Sequence, residues 1–564
     1  MNSPVTNHDD LIKIYRFSNS SEQEKIYGFL VKSTATINVE GDENDQKKDR
    51  INPLLQEFPN LEPSENNQDN QIKYIAKILA DANNPEVVIK IHGYSSKEDD
   101  VIQQYYEVVE DIVDDIKKYP NNPKTDKKKT FVFFGYRWPS ESPNFNNAFK
   151  ALPILLRGIL GFSIFFVIGF ATLILLSLIN KILLIPMLVL SSIALAIITL
   201  ILLRSSAYFR DSYRATNYAV SDLVELIRKL DKEIIAINKD KNKKKNYEKT
   251  EEPNDKIELN FIAHSMGCYV TTNTIRILSD VFDPIAIDPN QKNTSFIGDV
   301  FSLNRLILVA PDIPVEAIIP RRANFLQSSL SRCKESYLFS NEADIVLRIA
   351  STAANYFSFP ASSLFSGYRL GNITVKHDPN NKSIPYGIVN LKKDGSLEKY
   401  PFDYLDLRSS SKNEKEENTD VENLLRESKI SKEQINKIKK QKDTVTNTFT
   451  YFDCTDYKDE KDEKDVTPVS LATKKPALDL FDYMRLVINH LIRHKIDTHG
   501  GYFSKGNFTN ELINKLAFFG FDGLLKSYSS EEQKESTDTL SELSKKCQEK
   551  QIKVVLSPLR IPKK

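Results

Sequence analysis

The sequence predicts an α/β fold in which a mostly parallel β-sheet is flanked by helices. Apolar, β-rich runs such as 87–91 and 129–135 are separated by segments of helical periodicity such as 99–118. Strands that alternate with helices pair in parallel through right-handed crossovers. A further observation is the stretch 257–277, where a buried-strand pattern passes through Ser265, between small residues, into a helix-like pattern. The alternation and this strand–turn–helix stretch together indicate the fold class.

Composition excludes several classes of protein. The 564 residues include 77 basic and 76 acidic ones, so the charge balance does not indicate a nucleic-acid-binding surface. The four cysteines lie far apart without CxxC spacing, which argues against a zinc site and a disulfide framework and favours a reducing compartment. The first ten residues have neither a basic start nor an apolar core, so no signal peptide is predicted.

Shifts in composition suggest eight segments along the chain. They are a leading strand pair (1–38), a polar loop (39–70), the first part of the α/β domain (71–152), an apolar hairpin (153–205), the core of the domain (206–378), a charged insertion (379–447), a last strand with a histidine loop and helix (448–527), and a polar C-terminal tail (528–564).

The apolar hairpin interrupts the α/β pattern. The 46 residues between Arg157 and Arg204 contain a single charge, Lys181. Residues 158–179 and 182–203 are each long enough, at about 1.5 Å per residue, to cross a hydrocarbon core of about 30 Å. We therefore expect two transmembrane helices. The Asn180-Lys181 turn and Pro186 are also compatible with two alternatives, an apolar lid and a hairpin that enters only one leaflet.

Charges around the hairpin predict its orientation. Lys150, Arg157, Arg204 and Arg210 flank the two outer ends, whereas Lys181 stands alone at the tip. The positive-inside rule then puts both ends in the cytoplasm. The α/β domain would lie on the cytoplasmic face of a membrane.

The stretch around Ser265 has the pattern of a nucleophile elbow. A serine in such a sharp strand-to-helix turn has a strained backbone, and its neighbours must be small to let strand and helix pass closely. Ala263 and Gly267 meet that need, with alanine where the GxSxG pattern has its first glycine. Alone, these five residues could equally be an ordinary strand-to-helix turn.

An activated serine needs a base and a carboxylate that orients the base. In α/β-hydrolases these follow the serine in the chain order acid, then histidine, each on a loop after a strand. Ser265, Asp344 and His499 occur in that order. Asp312 also follows a predicted strand and is the alternative acid. His264 adjoins the serine, so its side chain must point elsewhere.

A second loop predicts an oxyanion hole. His92-Gly93-Tyr94 follows the strand 87–91, and Gly93 lets the backbone turn so that an amide points into a site. We expect the amides of Tyr94, or a neighbour, and of Met266 to hold the oxyanion, with His92 supporting the loop.

With these motifs the chain resembles the bacterial α/β-hydrolases of unknown function. The resemblance rests on the HG-aromatic loop at 92–94, the WPS tripeptide at 138–140, the AHSMG elbow at 263–267 and the APDI strand end at 310–313. It spans roughly 87–375 and returns weakly over 448–515. It implies an α/β-hydrolase sheet with a serine-hydrolase site, supports Ser265, Asp344 and His499 by position, and implies no substrate.

Together, these features predict a membrane-anchored serine hydrolase of α/β-hydrolase fold, esterase- or lipase-like. The expected partners are a bilayer and a lipid or amphiphilic acyl ester, without nucleic acid, and no metal or organic cofactor is required. Two alternatives stay open: an acyltransferase that uses the same triad, and a non-catalytic membrane scaffold with the same fold.

Overall fold

A computed structural model of the chain describes most of the α/β domain. The described residues are 11–35, 61–62, 68–94, 96–118, 129–140, 208–244, 256–282, 296–297, 300–318, 330, 332–351, 369–375, 385–392, 396, 400–406, 445–459, 469–470, 480–487, 496–528 and 536–560.

Fourteen strands are present in this part of the chain. They are β1 (Ile12–Phe17), β2 (Ile26–Ser33), β3 (Leu61–Glu62), β4 (Pro85–Ile91), β5 (Thr130–Arg137), β6 (Ile257–His264), β7 (Phe296–Ile297), β8 (Phe301–Val309), β9 (Glu335–Ser340), β10 (Thr374–Val375), β11 (Gly387–Ile388), β12 (Leu405–Asp406), β13 (Phe449–Asp453) and β14 (Lys553–Val555).

Nine α-helices are described. They are α1 (Gln68–Asp81), α2 (Glu98–Lys118), α3 (Val220–Lys244), α4 (Met266–Phe282), α5 (Pro401–Tyr404), α6 (Val445–Thr448), α7 (Leu480–Val487), α8 (Phe508–Tyr528) and α9 (Ser536–Glu549). Residues 208–214 are also helical and lead through a π-turn, Ala215–Ala219, into α3.

Twelve of the strands form one sheet in the order β11-β14-β13-β9-β8-β6-β4-β5-β2-β1-β3, with β7 paired to β8. The seven neighbouring strands from β2 to β13 all run parallel, and β1, β3 and β7 pair antiparallel. β14 is antiparallel to β13 and parallel to β11. The predicted α/β class with a mostly parallel sheet is therefore confirmed. Because parallel strands end at the same edge, the loops after β4, β5, β6, β8 and β9 meet there. We call this edge of the sheet the carboxyl edge, and the opposite one the amino edge.

Both faces of the sheet are covered by helices. Residues of α1, α3 and α4 join one apolar cluster, and residues of α2, α8 and α9 join the other. All residues of β5 and β8 are buried, as expected for parallel strands between two helical layers. The predicted continuous apolar runs thus become the centre of the domain.

The C-terminal segment differs from the predicted polar tail. Residues 536–549 form α9, which buries Leu540, Leu543 and Cys547, and β14 then enters the sheet between β11 and β13. The apolar positions of α9 recur three and four residues apart, so a sequence that is polar on average still buries one face. β13, predicted as the last strand, is consequently followed by another.

Other boundaries also differ from the sequence prediction. The predicted polar loop 39–70 contains β3 and the first residues of α1, and the predicted charged insertion contributes β11 and β12. Short pairings of this kind depend on partners far along the chain, which local patterns do not reveal.

The predicted transmembrane hairpin, 153–205, lies outside the described residues. Among the helices that the structure does describe, none combines the length and the apolar character needed to cross a bilayer.

A buried ion pair lies at the opposite, amino edge of the sheet. Arg305 of β8 donates from Nη1 to Glu86 Oε2 at 2.8 Å and to the carbonyl oxygens of Ala517 and Phe518 at 3.2 and 3.3 Å. Those carbonyls precede the break in α8 at Gly520, whose φ is 70°. Arg305 therefore joins the sheet to the segment of α8 before this break.

We expect Arg305→Met to destabilise the fold by about 3 kcal/mol, because the buried Glu86 carboxylate keeps only Lys129 as its cation and the carbonyls of Ala517 and Phe518 lose their donor. Thermal unfolding in detergent measures the loss. Lys505→Ala, which removes an exposed pair with Glu110, is the control and should leave the transition unchanged. An unshifted transition for Arg305→Met would contradict the assignment.

Candidate active site

Ser265 lies in a strained turn between β6 and α4. Its φ is 54°, in the left-handed region that non-glycine residues rarely adopt. The turn is held by hydrogen bonds from Ser265 N to Val309 O (3.0 Å) and from Asp312 N to Ser265 O (3.2 Å). Strain of this kind persists only where surrounding contacts enforce it, and it is typical of functional positions.

Gly267 allows this turn to pack against the neighbouring strand. A Cβ atom on Gly267 would lie 2.5 Å from the carbonyl oxygen of His92 and 2.8 Å from that of Ile91. Neither backbone atom can move without displacing the end of β4. Only glycine fits, which is the close approach that the elbow pattern requires.

His499 and Asp344 come together from loops 155 residues apart. His499 Nδ1 donates to Asp344 Oδ2 at 2.7 Å, and Asp344 Oδ1 accepts from the amide of Leu347 at 3.0 Å. Asp344 is fully buried. The His499 loop is shaped by Asp497, whose Oδ1 accepts from the amides of His499 (3.1 Å) and Gly500 (2.8 Å). The imidazole is therefore held in one tautomer, with its proton on Nδ1.

Burial and charge act in opposite directions on His499. Burial by itself would lower its pKa, but the carboxylate of Asp344 and their hydrogen bond outweigh burial, so the pKa lies above the ordinary value of 6.5. Asp344 thus stabilises the imidazolium that forms when the ring accepts a proton.

Ser265 Oγ and His499 Nε2 are both buried, and neither has a hydrogen-bond partner within the described ranges. Two further contacts bring their residues together. His264, next to the serine, bonds the backbone carbonyl of His499. Gly93 lies against the serine, since a Cβ atom added to it would be 2.8 Å from Ser265 Cβ. Tyr94 follows Gly93, and its ring centroid is 6.4 Å from that of His499. Buried polar atoms are rarely left unpaired, so this pair suggests a site for a reacting group.

Asp312, the alternative acid, has a different partner. Its Oδ1 lies 3.0 Å from Arg369 Nε, and both side chains are buried. Asp312 contacts the nucleophile turn through its backbone amide rather than His499 through its carboxylate. Of the two candidate acids, the structure brings Asp344 to the imidazole.

The loop predicted as the oxyanion hole is supported by the end of β5. Trp138 Nε1 donates to the carbonyl of His92 at 2.9 Å, and the two rings stack with centroids 5.2 Å apart. Arg137 Nη1 donates to His92 Nε2 at 3.2 Å, so His92 Nδ1 donates to Gly93 O at 2.7 Å. The loop backbone is held rigid beside Ser265. Tyr94 follows it directly.

Met266 is the first residue of α4, where helix amides lack intrahelical acceptors and the helix dipole favours negative charge. A negatively charged oxygen beside Ser265 would be stabilised there. Met266 and Tyr94 stay the predicted oxyanion donors, since Met266 follows the serine in the chain and Tyr94 follows Gly93, which lies against the serine.

Residues after the predicted hairpin also support this edge. Ser140 Oγ donates to Asp211 Oδ2 at 3.1 Å, and Asp211 pairs with Arg210 (3.1 Å) and with the fully buried Arg214 (3.4 Å). Sequence reasoning treated Arg210 only as a charge flanking the hairpin and missed Asp211 and Arg214. Their signal was a set of charges on an otherwise apolar helical face.

His264 is another residue of the candidate site to which the sequence analysis assigned no role. Burial, and then the charge of His499, lower its pKa to about 3, so the ring is neutral. Its Nε2 donates to the carbonyl of His499 at 2.8 Å, and its ring packs on Phe503 with centroids 5.3 Å apart. His264 therefore positions the base loop. Its signal was a histidine at a strand end, one residue before the nucleophile.

We expect His264→Ala to lower kcat about 10- to 100-fold, because a buried carbonyl loses its donor and the His499 loop loosens. His264→Gln, which keeps a neutral donor, should recover most of the rate. If His264 had a purely structural role, the folded fraction would fall in both variants while kcat per folded molecule stayed unchanged.

Comparison of the chain with protein-family models, curated proteins and solved structures finds no match. The resemblance to bacterial α/β-hydrolases stays a prediction from the motifs. The function of the chain must therefore be inferred from the geometry of Ser265, His499 and Asp344.

Proposed function

We propose that the chain is a membrane-anchored serine hydrolase of α/β-hydrolase fold that cleaves an acyl ester. Ser265 is the nucleophile, His499 the general base and acid, and Asp344 the carboxylate that orients His499. The reaction uses only these groups, backbone amides and water.

One observation carries the proposal. The strained serine and the carboxylate-held imidazole each have a buried atom without a hydrogen-bond partner in the described part of the chain, Ser265 Oγ and His499 Nε2, and contacts of Gly93 and His264 link their two loops. A scaffold has no use for a strained serine, a fixed tautomer and two unpaired buried atoms together. Catalysis by an activated serine needs all of them.

The proposed reaction has two stages. Ser265 Oγ attacks the acyl carbonyl while His499 Nε2 takes its proton, and the amides of Met266 and Tyr94 stabilise the oxyanion. His499 then protonates the leaving alcohol, giving an acyl-enzyme. Water attacks that ester with His499 again as base, which releases the fatty acid and restores the serine.

The α/β-hydrolase assignment is supported by chain order and by topology. Ser265, Asp344 and His499 occur in the order that this fold uses, and the serine follows β6, near the middle of the parallel sheet. Asp344 follows β9, two strands away. The common carboxyl edge explains how residues so distant in sequence meet.

The membrane anchor is the apolar segment 153–205. Two runs of 22 residues with one charge between them support a hairpin that spans the bilayer, and the flanking basic residues support a cytoplasmic α/β domain.

The test is labelling of the full-length chain, extracted in detergent, with a fluorophosphonate probe, followed by peptide mapping. We expect a single phosphonylated residue, Ser265. Absence of labelling on folded protein would favour the scaffold alternative. Product analysis with added alcohol then separates a hydrolase, which releases free acid, from an acyltransferase, which forms the new ester.

A further inference from the structure

The carboxyl edge of the sheet carries both the catalytic groups and the two attachment points of the apolar segment. Ser140 is the last described residue before that segment, and Tyr208 is the first after it. Ser140 bonds Asp211, and Arg214 Nη1 donates to the carbonyl of Pro139 at 3.5 Å. The described residues on the two sides of 141–207 thus lie at one place on the domain, which we call the re-entry point.

That place adjoins the candidate catalytic site. The ring of Tyr208 lies edge-on to that of Tyr94 with centroids 5.7 Å apart, and Tyr94 lies 6.4 Å from His499. One aromatic side chain therefore separates the re-entry point from the catalytic base.

The re-entry point is also close to the apolar sequence. Leu203 is the last residue of the second apolar run, and five residues of chain span at most about 18 Å. Whatever the conformation between them, the end of the run that we propose as the membrane anchor lies within that distance of Tyr208. A domain tethered this closely has its catalytic edge near the lipid surface.

The helical direction agrees with this orientation. Residues 208–244 start at the carboxyl edge and end at the amino edge, where Lys241 Nζ donates to Ala80 O at 2.7 Å, just ahead of β4. Near the start of this helix Tyr213 is 50% exposed, and its ring contacts that of Tyr218. Exposed tyrosines are enriched at membrane–water interfaces.

We propose that the carboxyl edge faces the bilayer and that the substrate is a fatty acyl ester of a glycerolipid taken directly from the membrane. The substrate part rests on the proposed hydrolase function. A lipid ester whose carbonyl lies at the headgroup level needs only a short outward displacement to reach Ser265, while its acyl chain stays in apolar surroundings. The buried site restricts bulk water during the transfer.

Orientation is tested by a lipid-borne quencher. Tyr213→Cys and, as the control, Leu559→Cys are labelled with a fluorescent maleimide in full-length protein, reconstituted in phosphatidylethanolamine–phosphatidylglycerol vesicles. Leu559 is 59% exposed and adjoins Arg560, which pairs with Glu335 at the start of β9, on the amino edge. The four native cysteines are buried, so the introduced thiols label selectively.

Phosphatidylcholine with a nitroxide on its headgroup should quench the label at position 213 severalfold more than the label at 559. Equal quenching, or stronger quenching at 559, would overturn the orientation. This readout is independent of any enzymatic activity.

The substrate class is tested on the unlabelled chain with the same vesicles. We expect fatty acid release from the vesicle phospholipids, lost in Ser265→Ala. Labelling of Ser265 together with hydrolysis of p-nitrophenyl butyrate alone would overturn the lipid substrate but keep the hydrolase. Failure of fluorophosphonate labelling would remove the hydrolase proposal and the lipid substrate with it, and the quenching result would then judge the orientation alone.

Discussion

Ser265→Ala is expected to abolish fluorophosphonate labelling and to lower ester hydrolysis by on the order of 10⁴- to 10⁶-fold. The reason is that no other hydroxyl described at the carboxyl edge combines a strained turn with an unpaired, buried oxygen. His499→Ala should cost a similar factor, since the serine then loses its base. The double variant should be little worse than either single one, because residues that act as a unit are not additive.

Ser221→Ala is the matched control. Its hydroxyl is exposed on α3 and bonds only carbonyls of its own helix, Asn217 O and Tyr218 O. Labelling and hydrolysis should be unchanged. Normal hydrolysis by folded Ser265→Ala would contradict the nucleophile assignment directly.

Asp344→Asn is expected to lower kcat by about 10⁴-fold while the fold is retained. The amide cannot hold the Nδ1–H tautomer as a carboxylate does, and it carries no charge to stabilise the imidazolium. The hydrogen bond from the Leu347 amide can still be accepted by the asparagine oxygen. Measured on folded, monodisperse protein, the loss should appear in kcat rather than in stability.

The pH profile distinguishes this role from a structural one. His499 must be neutral to accept the serine proton, so kcat/KM rises with pH through the pKa of His499. Asp344 raises that pKa, so the rise of kcat/KM with pH, which we call the acid limb, has its midpoint above pH 6.5 in the unaltered chain. Without the carboxylate the pKa falls, and the residual activity of Asp344→Asn should titrate at lower pH. A limb that stays in place would contradict the pairing.

Asp312→Asn separates the two candidate acids. Asp312 is paired with Arg369, so its replacement should reduce stability because the buried guanidinium loses this carboxylate. Activity per folded molecule should fall far less than in Asp344→Asn, and the acid limb should move little. The reverse ranking of the two variants would assign Asp312 as the orienting acid.

Local pattern was sufficient for the central strands. β4 and β5 lie within two residues of the predicted runs 87–91 and 129–135, and β6 begins where the predicted stretch 257–277 begins. Each is a continuous apolar run bounded by polar or turn residues, because burial on both faces leaves no position for polar side chains. The C-terminal segment was mispredicted for the converse reason. α9 and β14 depend on partners that lie far away in the sequence.

The candidate site divides in the same way. Ser265 was found from its strand–turn–helix surroundings, and Asp344 and His499 from chain order. Only contacts between distant loops distinguish Asp344 from Asp312, since both aspartates follow a strand. His264 was set aside because the sequence places it beside the serine without showing that it points to the His499 loop.

The sequence by itself determined the α/β class, the position of the strained serine and the apolar segment, because each depends on the side chains of a short stretch. The tertiary structure alone decided which carboxylate meets His499, that His264 bonds the His499 loop, and that Ser140 and Tyr208, on either side of the apolar segment, lie at the same sheet edge as Ser265 and His499. These features depend on residues brought together from separate strands at one sheet edge, and no local periodicity encodes that proximity.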